Sequence, residues 1–153
     1  MNYTLASQAL DLFQEFAKTP NLPPQFGAEI VLTPGAIPGN VSFGLTGTWY
    51  GPKSQENITV QPFLEAMPPI NTVHFTGNGT WIDNLVQLAG GSLNTSLAPD
   101  NTDTFYAKSL IVPESAPLTS AASTAFMKYL ANEGLNATTE LASTLALCIP
   151  ANP

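Results

Sequence analysis

Apolar positions change their spacing several times along the chain, and each spacing predicts a different element. Leu5, Ala9, Leu12, Phe13 and Phe16 recur every three or four residues, which lays a single stripe along a helix. Thr4 fits its N-cap, and Pro20 with Pro23-Pro24 ends it. Ala28 to Leu32 is a short β-rich run broken by Pro34-Gly35. From Val41 to Tyr50 the period becomes two. Val41, Phe43, Leu45 and Trp49 share one face, while Ser42, Thr46, Thr48 and Tyr50 share the other, the pattern of a half-buried strand. Thr59–Ala66 reads as a short helix with Pro62 in its first turn. Trp81, Leu85 and Leu88 mark another, capped by Thr80 and stopped by Gly90-Gly91. Thr104–Val112 alternates as a third strand. Ala121–Glu133 is a final helix with Ala122, Ala125, Phe126, Tyr129 and Leu130 as its core stripe and Gly134 as its stop.

The order helix, two strands, two helices, strand, helix predicts an α+β fold. Its expected form is an antiparallel sheet with helices packed on one face, an incomplete domain. A chain of 153 residues suffices for one core, and 44% apolar residues make that core available.

Charge is the compositional anomaly. Only 10% of residues are Asp, Glu, Lys or Arg, against about 25% in an ordinary soluble domain. Six Asn-x-Ser/Thr acceptors stand at Asn2, Asn40, Asn57, Asn78, Asn94 and Asn136, where chance predicts roughly two. Attached glycans would supply the missing solubility, so the parent protein is expected to be extracellular. Asn2–Phe16 already carries helical periodicity and acidic residues, so no signal peptide is read there, and the parent is expected to begin upstream of Met1. A net charge of −7 with four scattered lysines excludes a nucleic-acid surface. No apolar run approaches the ~20 residues of a membrane span. A lone cysteine, Cys148, rules out an internal disulfide and reads as a small buried hydrophobe. The lone histidine, His74, rules out a His-rich metal site, so no metal is expected.

Catalytic chemistry is hard to find. No glycine loop is spaced to cradle phosphate, no carboxylate pair is fixed by spacing, and nothing ties His74 to a nucleophile. What remains is the polar strand face. Thr46, Thr48 and Tyr50, with Tyr106 and Lys108 on the third strand, form a surface suited to sugars, whose hydroxyls take hydrogen bonds and whose C–H faces stack on rings. An ordinary solvated sheet face has the same pattern.

Four segments carry a resemblance. Pro24–Glu29 (PQFGAE), Phe43–Pro52 (FGLTGTWYGP), Asp103–Leu110 (DTFYAKSL) and Phe126–Gly134 (FMKYLANEG) resemble the berberine-bridge-enzyme-like FAD-linked oxidases, above all fungal glucooligosaccharide oxidases. The resemblance implies a partial substrate-binding domain over residues 1–139, followed by a divergent C-terminal tail over 140–153. It implies a secreted parent that passes hydride from a carbohydrate or alcohol to FAD and returns electrons to oxygen as hydrogen peroxide. The missing FAD-binding domain would be this chain's partner and an oligosaccharide its substrate, with Tyr106 and Lys108 lining the cleft. No flavin is expected on this chain itself, no catalytic residue is assigned, and the isolated chain is expected to be inactive. The alternative is a non-catalytic secreted glycoprotein that binds carbohydrate through the same face.

Overall fold

A hairpin of two nine-residue strands forms the centre of the molecule. The computed structural model describes residues 1–69, 72–77, 80–88, 93, 111–113, 115–133 and 143–146. Strand β1 (Phe26–Pro34) pairs antiparallel with β2 (Val41–Trp49), from Phe26 opposite Trp49 to Pro34 opposite Val41. The Gly35 N–H closes the connecting loop on the Asn40 carbonyl at 2.9 Å. A Cβ at Gly35 would meet the Asn40 backbone at 2.8 Å, and Gly39 has φ +82°, so both positions require glycine. The alternation read in the sequence for β2 holds: Val41, Phe43, Leu45 and Trp49 are buried, together with Phe26, Ala28, Ile30 and Leu32 from β1.

Two further strands extend the sheet to the order β3-β2-β1-β4. Strand β3 (Thr72–Gly77) runs parallel to β2, and β4 (Ser143–Ala146) runs antiparallel to β1. Neither was predicted as a strand. A parallel neighbour needs a long crossover, and helix α2 (Lys53–Ala66) lies within that connection. Strand β4 comes from the stretch 140–153 expected to be a divergent tail, and it joins the same sheet. Of the strand expected over Thr104–Val112, positions 104–110 lie outside the described residues, while Ile111 and Val112 are exposed and belong to no strand.

Helices α1 (Tyr3–Ala17) and α4 (Ser120–Glu133) cover the apolar face. The α+β class is therefore as expected, but the helical stripes are rotated. On α1 the buried residues are Ala6, Ser7, Ala9, Leu10 and Phe13, whereas Leu5 is 37% exposed. On α4 they are Ser123, Met127, Leu130 and Ala131, whereas Ala122 and Ala125 are exposed and Tyr129 is 56% exposed. The reason is the contact between the two helices. Gln14 on α1 accepts from the Leu118 N–H at 2.8 Å and donates to the Leu118 carbonyl at 3.3 Å, and Thr124 Oγ1 donates to Ser7 Oγ at 3.3 Å. Small side chains at Ala6, Ser7, Ser123 and Ala131 allow that approach, so size rather than hydrophobicity alone chooses the inner face.

The helix ends differ too. Asn2, not Thr4, caps α1, accepting from the Leu5 N–H at 2.9 Å. Helix α2 begins at Lys53, so Pro62 sits inside it rather than in its first turn. Proline deprives the Ile58 carbonyl of its intrahelical donor, which is tolerable because Ile58 is 76% exposed. Phe63 anchors α2, stacking on Phe16 at 4.2 Å, while Phe16 meets Phe26 edge-on at 5.5 Å.

Helix α3 (Trp81–Leu88) starts where expected. The Asp83 N–H donates to Thr80 Oγ1 at 3.2 Å, and the Thr80 N–H and hydroxyl donate back to Asp83 Oδ2 at 2.6 and 2.8 Å, a reciprocal capping box. The Thr80 N–H, and then its hydroxyl, hold the Asp83 carboxyl below the ordinary aspartate range.

Two outcomes follow from this packing. Phe43→Ala should lower stability by about 3–5 kcal/mol in urea unfolding, because the ring is fully buried, while Ile58→Ala should change it by less than about 0.5 kcal/mol. Because the folded carboxyl titrates low, the Asp83 cap is intact above the ordinary aspartate value and is lost as pH falls through the depressed one. A carboxyl NMR titration should find that depressed midpoint, and Thr80→Ala, which removes the hydroxyl but keeps the N–H, should move it part of the way back up.

Candidate functional site

The second face of the hairpin carries Gly27, Glu29, Val31 and Thr33 from β1, and Ser42, Gly44, Thr46 and Thr48 from β2, all half-buried. Strand pleat places them there. Once Ala28, Ile30 and Leu32 turn inward to the helices, Glu29 must turn outward. Pairing sets Glu29 opposite Thr46, Gly27 opposite Thr48, Val31 opposite Gly44 and Thr33 opposite Ser42. Thr46 Oγ1 donates to Glu29 Oε1 at 3.2 Å across the hairpin.

Glycines shape the ground around that pair. Gly27 precedes Glu29 by two positions, and a Cβ there would meet nothing within 4 Å. Gly44 precedes Thr46 by two, and a Cβ there would make only an ordinary contact of 3.7 Å with the Val31 carbonyl. Bare backbone thus flanks the Glu29–Thr46 pair diagonally on both strands. In the backbone register, Ala146 of β4 stands beside Glu29, and His74 of β3 stands beside Thr46. One row across four strands therefore reads Ala146, Glu29, Thr46, His74.

Of the residues chosen from the sequence, Thr46 and Thr48 lie on this face. Tyr50 follows the last residue of β2 and is 49% exposed, so strand pleat does not place its ring. The turn begins there because Pro52 has no N–H to extend a ladder and Gly51 packs on the Trp49 indole, where a Cβ would sit 2.9 Å from Nε1. The Tyr50 N–H still reaches the Gln25 carbonyl at 2.9 Å. Tyr106 and Lys108 lie outside the described residues. Glu29 was missed as a site residue, although alternation through Ala28, Ile30 and Leu32 carried the signal. His74 was read as isolated because nothing in the sequence announces that β3 pairs with β2.

Among the glycosylation candidates, Asn57 is exposed on α2. Asn2 and Asn40 oppose each other in an antiparallel bridge. Asn2 is exposed with Oδ1 engaged as the α1 cap, and Asn40 is half-buried at the end of the hairpin loop. Asn78, Asn94 and Asn136 lie outside the described residues.

Among the described residues, no three His, Cys, Asp or Glu side chains gather as a metal site, and no helix is long and apolar enough to cross a membrane. The polar face does not fit a flavin pyrophosphate. That group wants backbone N–H donors at a glycine-rich strand-to-helix turn, whereas this face presents a carboxylate, and the β2–α2 turn holds one glycine, Gly51. The face can accept and donate hydrogen bonds to neutral hydroxyl groups. The chain matches no protein-family model, no curated protein and no solved structure.

Thr46→Val should cost at most about 1 kcal/mol of stability, because the bond to Glu29 is half-exposed, and denaturant unfolding measures it.

Proposed function

We propose that the polar face of β1 and β2 binds polyhydroxyl ligands and serves as the substrate-side sheet of a larger, secreted carbohydrate or alcohol oxidase. The observation that carries the binding reading is the division of the sheet. Helices fill its apolar side, while the other carries the hydroxyls of Thr33, Ser42, Thr46 and Thr48 and one carboxylate, Glu29, bonded to Thr46. Such a row offers donors and acceptors at strand spacing, and the bare backbone at Gly27 and Gly44 lets a flat ring come close. Tyr106 and Lys108 are proposed to extend the same cleft. The oxidase reading rests on the four sequence segments named above. In it, a domain outside this chain holds the FAD that accepts hydride, and the present chain binds and orients the sugar. The six acceptor asparagines support a secreted parent.

Titrating cello-oligosaccharides against the isolated chain should give saturable binding that Thr46→Val weakens, as followed by calorimetry. The purified chain should be colourless and release no peroxide with the same sugars. Absence of any saccharide binding overturns the binding reading. Yellow protein that oxidises sugar would show that the chain holds its own flavin. If sugars bind but the parent transcript encodes no upstream flavin domain, a free-standing carbohydrate-binding glycoprotein replaces the oxidase reading. Expression in a secreting eukaryotic host should place a glycan on Asn57, seen as a mass loss in Asn57→Gln.

A further inference from the structure

We propose that Glu29 selects ligands at this face by charge, admitting neutral and amine-bearing saccharides and rejecting uronates; the inference rests on the polyhydroxyl-binding reading above. A carboxylate has no hydrogen to donate. Both its oxygens accept, with room for more donors than the single hydroxyl of Thr46 that reaches Oε1 at 3.2 Å. Vicinal sugar hydroxyls are donors of that kind, and an ammonium is a stronger one.

No cation stands on either central strand to offset the charge of Glu29; His74, in register beside Thr46, is one strand further away, and Lys108, proposed above to extend the cleft, lies outside the described residues. The other face positions of β1 and β2 are Gly27, Val31, Thr33, Ser42, Gly44, Thr46 and Thr48, and none is cationic. Among the described residues the lysines lie on or beside helices: Lys18 pairs with Glu15 at 2.7 Å, Lys53 pairs with Glu56 at 3.1 Å, and Lys128 lies on α4. The chain as a whole carries −7, so the wider field repels anions as well. A uronate docked along this row would set its carboxylate against Glu29 with no counter-charge from either central strand. Like charges brought together at a partly desolvated site oppose binding, and this is how charged sites turn away wrong partners.

The test titrates the full chain by calorimetry with cellotetraose, the fully deacetylated chitosan tetramer and tetragalacturonate, each against wild type, Glu29→Gln and Thr46→Val. Wild type should bind the first two and take tetragalacturonate at least about tenfold more weakly. Glu29→Gln, nearly isosteric, should cut chitosan affinity by about tenfold or more and bring tetragalacturonate level with cellotetraose. Thr46→Val keeps the carboxylate, so it should weaken all three while preserving their order. A general folding defect cannot equalise the neutral and acidic sugars. If all three bind wild type equally, or if Glu29→Gln leaves the order unchanged, charge selection by Glu29 is overturned while the polyhydroxyl site stands. If none of the three binds, the polyhydroxyl reading fails and takes this inference with it.

Discussion

The structure depends on the two-residue pleat of the β1–β2 hairpin. Nine consecutive pairs put every second side chain on one side, and the sequence supplies apolar groups at nearly every one of those positions. Eight buried residues of the hairpin then form a continuous surface that α1 and α4 must cover. Shifting the register by one would turn Ser42, Thr46 and Thr48 into the core and Phe43 and Leu45 into water, so the pairing has little freedom. The alternation that builds the core also exposes the other face, and the candidate site is the remainder of that division.

Packing above the sheet follows a different rule. Helix α1 contributes Leu10 and Phe13 to the core and packs against α4, where Thr124 Oγ1 donates to Ser7 Oγ and the small residues Ala6, Ser7, Ser123 and Ala131 are buried. Close approach makes small residues interior and pushes Tyr129 and Leu5 outward, although hydrophobicity alone ranks them the other way. At the far end of α1, Phe16 joins Phe26 and Phe63, fastening α2 to the start of β1. Helix α2 lies within the crossover that brings β3 beside β2, next to Thr46.

The polar row is assembled from distant parts of the chain. Glu29 and Thr46 are 17 residues apart and joined by the hairpin, His74 arrives through a parallel crossover, and Ala146 comes from the C-terminal segment. A carboxylate beside one threonine hydroxyl on a sheet face offers acceptors to the proposed polyhydroxyl ligand, but it assigns no reaction. In the proposed oxidase that chemistry comes from the FAD of another domain.

The sequence by itself determined the two faces of β2, a β-rich run at β1, the Thr80 start of α3 and the α+β class, because each rests on local periodicity, composition or a local cap. Tertiary structure alone decided the inner faces of α1 and α4, since a helix rich in Ala and Ser offers several near-equal stripes and only its neighbour chooses among them. It also decided that Asn2 caps α1, where the bridge to Asn40 holds the chain's start in place. Sheet order belongs to the same class. Pairing of β3 and β4 with the hairpin is a contact between segments far apart in sequence, and the four-residue β4 carries too little pattern to announce a partner. The face holding Glu29 was therefore legible from the pleat, whereas the row in which it stands came only from folding.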